Sequence, residues 1–280
     1  MTTHKDAEEI KKTVQDRYAE IARQKLEQAP SCCPPVPRTA CCGPQAKAEV
    51  SETRAQRLYE ARELEGLPES VTEISLGCGN PTAIAELKEG EVVLDLGSGG
   101  GIDCFLAARK VGDSGKVIGL DMTPEMIQLA RSNAEKLELK NVEFRLGEME
   151  HMPMDSSSIN VIISNCVINL SPDKDAVFRE AYRVLKPGGR ICVSDIVLLG
   201  ELPDEVKNNV NWAACIAGAL RKDVYLDKIR AARFQEVEVE EKSRSEPSTM
   251  SGDCCSNSAE SQPDWRKNVT SIRVKASKPR

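Results

Sequence analysis

Three cysteines that stand apart in the sequence, Cys78, Cys166 and Cys215, are the residues with the clearest potential for chemistry. Cys78 lies between two glycines, Cys166 follows a run of residues typical of a buried strand, and Cys215 lies in a later stretch that favours a helix. Thiolates bind soft metals and metalloids in preference to hard cations. If the fold brings these thiols together, they form a site for a soft, thiol-seeking substrate.

The composition limits the class of protein. The chain has 280 residues, of which 40% are hydrophobic, and this is enough for one substantial core. Its net charge of −6 gives no general attraction to nucleic acid or anionic lipid, and no apolar run approaches the ~20 residues that span a bilayer. The first thirty residues contain no apolar leader. We therefore expect a cytoplasmic protein without nucleic-acid or membrane partners, in which the eleven cysteines are mostly reduced thiols.

Apolar strands alternate with helical patterns from Glu91 onward, which indicates an α/β fold with a mainly parallel sheet and helices on both faces. Strands are predicted at 92–96, 117–121, 142–146, 160–164 and 190–198, and a closing antiparallel pair at 234–240 and 269–276. Thr123-Pro124 and Ser171-Pro172 predict the starts of two crossover helices, and Lys186-Pro187-Gly188-Gly189 the end of the second. Further helices are expected between 203 and 232.

The sequence before the sheet combines helices with a cysteine-rich loop. Residues 8–26 carry apolar side chains at helical spacing and predict an amphipathic helix packed on the main domain, and residues 49–64 also favour a helix. Residues 29–44 contain five prolines and two cysteine pairs, which predicts a mobile, thiol-bearing loop. The chain thus divides into an N-terminal segment, a cofactor-binding core and a part with covering helices and closing strands, at 1–70, 71–200 and 201–280.

A glycine-rich loop follows the first strand and opens a helix, since residues 95–101 read DLGSGGG. Its glycines allow a tight turn and the close approach of a ligand to the backbone. Asp121 closes the next strand, where a carboxylate can accept hydrogen bonds from both hydroxyls of a ribose. The loop lacks the G-x-G-x-x-G spacing of dinucleotide sites, and Asp95 can face a cationic amino-acid group rather than a pyrophosphate. This combination favours S-adenosylmethionine over a dinucleotide.

Residues after the third strand suit an adenine ring. Glu148 is expected to accept a hydrogen bond from the exocyclic amine, and Met149 to pack on the ring. The full set of predicted cofactor contacts is Asp95, Gly97, Gly99, Asp121, Met122, Glu148, Met149 and Asn165.

Residues 91–198, including the turn at 185–189, resemble the class I S-adenosylmethionine-dependent methyltransferases, which implies a seven-stranded Rossmann-like sheet with its last strand antiparallel. Residues 76–232 resemble the microbial arsenite methyltransferases, in which Gly-Cys-Gly, Ser-Asn-Cys-Val-Ile-Asn-Leu and a later helix cysteine are characteristic. The resemblance implies that Cys78, Cys166 and Cys215 bind trivalent arsenic and that the chain methylates it, a reaction of arsenic detoxification.

The chemistry of arsenic accounts for three sulfurs. Trivalent arsenic forms three bonds to thiolates and keeps a lone pair, which is the nucleophile toward the methyl group. Positioning then supplies most of the catalysis, and no general base is required. The resemblance implies arsenite or its thiol conjugates as substrate, and a thiol reductant such as thioredoxin or glutathione as co-substrate.

The remaining cysteines are predicted to have other roles. Cys104 and Cys192 are expected in the core, since an isolated cysteine is often fully buried. The family commonly carries a fourth functional cysteine nearer the N-terminus, for which Cys32, Cys33, Cys41 and Cys42 are all candidates. These pairs either capture and relay arsenite or form a metal-scavenging or redox-sensitive tail. The Cys254-Cys255 pair is either a similar binding pair or a chance surface pair.

Two other functions stay open at the level of sequence. A methyltransferase of an organic carbon acceptor, such as a quinone or sterol, shares the same core and the Lys-Pro-Gly-Gly turn. A non-catalytic arsenic or metal sensor on this fold would bind metalloid through the same cysteines without consuming cofactor.

Overall fold

The computed structural model describes residues 4–27, 53–73, 77, 79–213, 215–241 and 264–280. Cys78, the loop predicted at 29–44 and the Cys254-Cys255 pair lie outside these residues. The strands of the described ranges are β1 (Val92–Leu96), β2 (Lys116–Asp121), β3 (Val142–Leu146), β4 (Ile159–Asn165), β5 (Leu185–Leu198), β6 (Gln235–Glu241) and β7 (Val269–Ser277).

These strands form one sheet of seven in the order β3-β2-β1-β4-β5-β7-β6. Neighbours from β3 to β5 are parallel, whereas β7 runs antiparallel to both β5 and β6. This is the predicted Rossmann-like sheet of a class I methyltransferase. One boundary differs, because β5 begins at Leu185 rather than Arg190: Leu185 already pairs with Ile159, and the glycine turn is absorbed as an irregularity, with Gly188 at a φ of 79°.

Helices cover both faces of the sheet. They are α1 (His4–Glu27), α2 (Arg54–Leu58), α3 (Ala61–Leu64), α4 (Glu69–Thr72), α5 (Pro81–Ile84), α6 (Ile102–Val111), α7 (Pro124–Lys136), α8 (Lys174–Val184), α9 (Asn209–Ala213) and α10 (Lys222–Ala231). In α7, Pro124 occupies the first turn, and Met126, Ile127 and Ala130 form the buried stripe.

The core has two layers because successive strand residues point to opposite faces. Leu94 and Ile162 pack with Phe178 of α8 on one face of the sheet. Their neighbours Val93 and Val161 pack with α6 on the other face. All of these side chains are fully buried, and each contributes about 1.5–3 kcal/mol from burial.

Two helix predictions need correction. The helix expected over 49–64 is interrupted at Tyr59, because Thr53 and Glu60 each begin a separate capped helix and Tyr59 between them is extended and buried. The helix after β4 is capped by Asp173, whose side chain accepts from the backbone N–H of Ala176, rather than by Ser171.

The predicted N-terminal helix is confirmed and is longer than expected, since α1 spans His4–Glu27. Its buried residue Ala22 packs on Met126 and Leu129 of α7, and Val14 is 1% exposed. No described helix has both the length and the apolar character needed to cross a bilayer.

Candidate active site

Cys166 lies in a turn at the carboxyl edge of the sheet, directly after β4. Its backbone has a φ of 62°, a left-handed conformation that is unfavourable for a residue with a side chain. The backbone N–H donates to the Ser194 carbonyl on β5 at 2.7 Å, which holds the turn against the sheet. The position predicted for Cys166 is therefore the one observed.

Cys215 lies beside Cys166, although not on a helix as predicted. The helix α9 ends at Ala213, and Cys215 follows in a turn with a φ of 65°. Its N–H donates to the Trp212 carbonyl at 2.8 Å, and its Sγ donates to the Cys166 carbonyl oxygen at 2.8 Å. Two of the three predicted thiol residues are thus joined by a direct contact, and both have left-handed backbone.

Both cysteines belong to one apolar cluster, which we call the thiol cluster. Its buried members are Val14, Cys166, Leu170, Ile196, Leu198, Leu202, Val206, Ala213, Cys215, Ile216 and Ala219. Cys166 is 4% exposed and Cys215 is 7% exposed, so water is largely excluded from their sulfurs.

The oxidation states of the described cysteines differ. Cys166 is disulfide-bonded, whereas Cys104, Cys192 and Cys215 carry thiols. Cys78 lies outside the described residues, and within the described ranges no three His, Cys, Asp or Glu side chains converge as a metal-binding group. The complete three-thiol site therefore stays a prediction.

The glycine-rich loop after β1 adopts the predicted tight turn. Gly97 and Gly99 have φ values of 67° and 50°. The N–H of Gly99 donates to Asp121 Oδ2 at 3.0 Å, and the N–H of Thr123 donates to Oδ1 at 2.9 Å. Nothing lies within 4 Å of the point where a Cβ on Gly99 would project, so the loop has open space on this side. A ligand can approach the backbone there.

The glycine-rich loop and the Cys166 turn are in contact. A Cβ on Gly97 would lie 2.2 Å from Cγ1 of Val167, the residue after Cys166. Glycine is therefore required at this position by packing as well as by its left-handed φ. The sequence placed these two motifs at the same edge of the sheet, and the structure shows them touching.

Two buried carboxyl groups lie behind the loop. Asp95 at the end of β1 is 2% exposed and accepts from Cys104 Sγ at 3.2 Å, whereas Asp103 on α6 accepts from the Tyr59 hydroxyl at 3.0 Å. Burial raises the pKa of Asp95 well above its usual range, with a further increase from the neighbouring Asp103. Burial likewise raises the pKa of Asp103 to about 6, against hydrogen bonds from Asn165 and Tyr59.

Cys104 is buried as expected, and it also contacts a predicted cofactor residue. Its thiol is the hydrogen-bond donor to Asp95, and burial followed by the negative charge of Asp95 raises the pKa of Cys104 well above its usual range. Cys192 packs among Val93 and Val161 with no exposure, and burial raises its pKa to about 12. Cys192 is therefore the better structural control of the two.

Two of the remaining predicted cofactor residues, Glu148 and Met122, contact α1. Glu148 is exposed and forms an ion pair with Lys11 at 2.6 Å, whereas Met149 packs against the core. The Met122 carbonyl accepts from Gln15 Nε2 at 3.0 Å. Sequence reasoning missed these contacts because they join residues that are far apart in the chain.

A buried lysine next to the thiol cluster was also missed. Lys174 Nζ donates to the Ser171 carbonyl at 2.8 Å and lies 5.4 Å from the centroid of the Trp212 ring. Burial lowers its pKa to about 8, against the attraction of Asp195. The signal in the sequence was a lysine in the first turn of an amphipathic helix, a residue type that is mostly exposed.

The buried carboxyl group of Asp195 on β5 attracts this lysine electrostatically. Tyr225 donates to its Oδ2 at 2.9 Å, and its Oδ1 has no hydrogen-bond partner among the described residues. Burial raises the pKa of Asp195 to about 7, although Tyr225 and Lys174 oppose the increase.

Comparison with known proteins gives consistent results. Residues 87–242 match the family described as a methyltransferase domain. An arsenite methyltransferase of Halobacterium salinarum is 44% identical over 251 residues, which is 88% of this chain and 62% of that protein. The human arsenite methyltransferase is 34% identical over 79% of this chain and 56% of its own length. The chain therefore spans less than two thirds of these relatives.

A solved structure is similar over much of its length. The arsenic(III) S-adenosylmethionine methyltransferase of Chlamydomonas reinhardtii is 34% identical, with a TM-score of 0.63 over 82% of this chain and 75% of that one.

The raised pKa of Asp195 predicts a stability that falls with pH. An unfolded aspartate has a pKa near 3.9, so between about pH 4 and 7 the folded protein holds a proton that the unfolded chain has lost. This contribution is complete below pH 4 and is lost as the pH rises through about 7. The unfolding free energy should therefore fall between pH 5 and pH 8. In Asp195→Asn this fall should be smaller by on the order of 2 kcal/mol.

Urea unfolding at the two pH values measures this difference. Asp113→Asn, at an exposed loop position, is the matched control and should leave the decrease as in the unaltered chain. A larger decrease in Asp195→Asn than in the unaltered chain would contradict the assignment.

Proposed function

Because the chain belongs to the S-adenosylmethionine-dependent methyltransferases of the arsenite methyltransferase family, we propose that it transfers methyl groups from S-adenosylmethionine to trivalent arsenic. The proposed arsenic ligands are the thiolates of Cys78, Cys166 and Cys215. The observation that carries the proposal is the position of the Cys166 turn, which touches the cofactor loop through Val167 and Cys215 through its own carbonyl group.

The residues at the loop fit the cofactor. The open face at Gly99 admits a ligand, and the Asp121 carboxylate keeps lone pairs for ribose hydroxyls after accepting two backbone N–H groups. Asp95 is buried where an ammonium group would offset its charge. Glu148 and Met149 are the proposed adenine contacts. When bound, the cofactor supplies a methyl group on a cationic sulfur, which is the electrophile.

The three thiols replace the oxygen ligands of arsenite with sulfur. Binding of arsenite exchanges three arsenic–oxygen bonds for three arsenic–sulfur bonds, so that three thiol protons leave with three oxygens as water. The arsenic lone pair then forms the bond to the methyl carbon, while the electron pair of the broken carbon–sulfur bond stays on the departing sulfur. The apolar thiol cluster excludes water and limits the competing return of arsenic to oxygen ligands.

A thiol reductant is needed at two points, and we propose thioredoxin or glutathione in this role. Cys166 is disulfide-bonded, so arsenic can bind there only after two electrons reduce the disulfide to thiols. Methyl transfer raises the formal oxidation state of arsenic by two, and oxidation of two thiols to a disulfide returns it to the trivalent state. A cytoplasmic location, where thiols are kept reduced, suits this requirement.

Among the alternatives, an organic carbon acceptor such as a quinone or sterol is not favoured, because the arsenite methyltransferases match most of this chain. A non-catalytic arsenic or metal sensor makes the same thiol contacts, so it must be separated from an enzyme by turnover.

The first prediction from the proposed function concerns turnover. Purified protein with methyl-labelled S-adenosylmethionine, arsenite and a thiol reductant should form methylated arsenicals, which chromatography coupled to arsenic detection resolves. Omission of the reductant should prevent their formation, because Cys166 then stays oxidised. Absence of any methylated arsenical under reducing conditions would refute the enzyme, and arsenite binding without cofactor consumption would identify a sensor.

The second prediction concerns the thiols. Cys166→Ser and Cys215→Ser should each lower the methylation rate by at least about 100-fold, or about 3 kcal/mol in the barrier, because an oxygen is a poor ligand for a soft centre. Cys192→Ala is the control, since its side chain is buried away from the thiol cluster. It should lower the unfolding free energy and leave the rate per folded molecule unchanged. Equal rates in Cys166→Ser and Cys192→Ala would show that the site is misplaced.

The third prediction concerns protons released on cofactor binding. The buried carboxyl groups of Asp95 and Asp103 have raised pKa values, and a bound cation favours their ionised forms. The affinity for S-adenosylmethionine should therefore rise from pH 5 to pH 7. Calorimetric titrations in two buffers of different ionisation enthalpy should detect proton release, and Asp95→Asn should reduce it. An affinity that falls over this range would contradict the placement of the cation.

A further inference from the structure

The side-chain amide of Asn165 forms hydrogen bonds with the backbone of the Gly-Cys-Gly motif, which contains the predicted arsenic ligand Cys78. Its Nδ2 donates to the Gly79 carbonyl at 2.8 Å, and its Oδ1 accepts from the Gly79 N–H at 3.2 Å. One amide therefore satisfies both backbone groups of the residue that follows Cys78. Asn165 itself directly precedes Cys166, so this pair of bonds links the neighbours of two predicted arsenic ligands.

The amide is also fixed from its other side. Nδ2 contacts the Tyr59 hydroxyl at 3.0 Å and Asp103 Oδ2 at 3.1 Å. The two hydrogens of Nδ2 are shared among three acceptors, namely Tyr59, Asp103 and the Gly79 carbonyl, while the Gly79 N–H donates to Oδ1, so the network defines the orientation of the amide. The Asn165 side chain, at the end of β4, is thus held by Asp103 of α6 and by Tyr59, the residue that follows α2.

The glycines on each side of Cys78 have no space for a side chain. A Cβ on Gly77 would lie 2.3 Å from Asn165 Nδ2, and a Cβ on Gly79 would lie 1.9 Å from Ser194 Oγ. Glycine is therefore required at both positions because the backbone packs directly on Asn165 and on β5. This packing gives a physical reason for the Gly-Cys-Gly motif.

We propose that Asn165 is a positioning residue of the thiol site, which holds Gly77 and Gly79 against the start of the Cys166 turn. It thereby restricts the separation between the glycines that flank position 78 and the Cys166 turn. On the proposed function, this restraint acts on the spacing of two arsenic ligands. Three bonds to one arsenic atom require sulfurs placed to within a fraction of an ångström, so such a restraint increases affinity by lowering the ordering cost of binding. The inference rests on the proposed function and deepens it. It replaces the predicted cofactor contact of Asn165 with an action on the second substrate.

Separate affinities for the two substrates test the proposal. Equilibrium dialysis with arsenic quantification under a thiol reductant gives the arsenite affinity, and calorimetry gives the S-adenosylmethionine affinity. Asn165→Ala removes two bonds to Gly79, so arsenite should bind about tenfold more weakly while the cofactor affinity changes by less than about twofold. Asn165→Asp should weaken arsenite binding further, because its carboxylate would face the Gly79 carbonyl and Asp103.

A matched control lies at the opposite end of the same strand. Asn160 Oδ1 accepts from the Val92 N–H and from Lys186 Nζ, both at 3.0 Å, far from the carboxyl edge. Asn160→Ala should lower the thermal unfolding temperature and leave both affinities unchanged. A loss of arsenite affinity in this variant as well would indicate a general stability effect.

A double-mutant cycle provides a second test, which compares the arsenite affinities of two single variants with that of the double variant. Gly77→Ala introduces a methyl group that collides with the Asn165 amide, and it should weaken arsenite binding by about tenfold or more. In the Gly77→Ala, Asn165→Ala double variant the collision is relieved. Its arsenite affinity should therefore equal that of Asn165→Ala alone, whereas independent effects would multiply.

The outcomes separate this inference from the function on which it rests. If the unaltered, reduced protein binds no arsenite, the proposed function fails and the inference with it. If the unaltered protein binds arsenite and Asn165→Ala binds it equally well, only the inference fails. Weaker cofactor binding with unchanged arsenite binding would return Asn165 to the cofactor site and overturn the proposal.

Discussion

The left-handed backbone of Cys166 is the constraint on which the rest of the site depends. A residue with a side chain adopts this conformation at a cost on the order of 1 kcal/mol, and it does so only where its surroundings hold it. Here the surroundings are the Ser194 carbonyl, the Cys215 thiol and the contact of Val167 with Gly97. Each of these contacts links the turn to a different part of the site.

The order of the strands explains why the motifs meet at this turn. The order β3-β2-β1-β4-β5 runs in opposite directions from β1 and β4, and ligands of open α/β sheets bind at the carboxyl edge where the order reverses. Asp95 and Asn165 lie at or near the ends of these two parallel neighbours, in which Leu96 pairs with Ser164. The chain therefore leaves β1 into the cofactor loop and β4 into the Cys166 turn side by side.

The features that could be predicted from sequence are those with local signals. Apolar runs and turn residues located the strands, and the edge rule then located Cys166 correctly. The break of the helix at Tyr59 and the turn at Cys215 were missed because distant contacts determine them: Tyr59 is held by Asp103, and Cys215 by the carbonyl of Cys166. For the same reason, Cys104 was correctly placed in the core, but its bond to Asp95 was not foreseen.

The helix α1 contacts both the candidate cofactor residues and the thiol cluster. Its Gln15 side chain donates to the Met122 carbonyl, and its Val14 side chain packs in the thiol cluster. We propose that one arsenic atom is bound at this junction by sulfur from Cys78, Cys166 and Cys215. X-ray absorption spectroscopy at the arsenic edge, on reduced protein loaded with arsenite, tests it most directly. Three sulfur neighbours and no oxygen are expected, with one sulfur replaced by oxygen in Cys215→Ser. An oxygen-rich arsenic shell, or a shell that is unchanged in Cys215→Ser, would contradict the account.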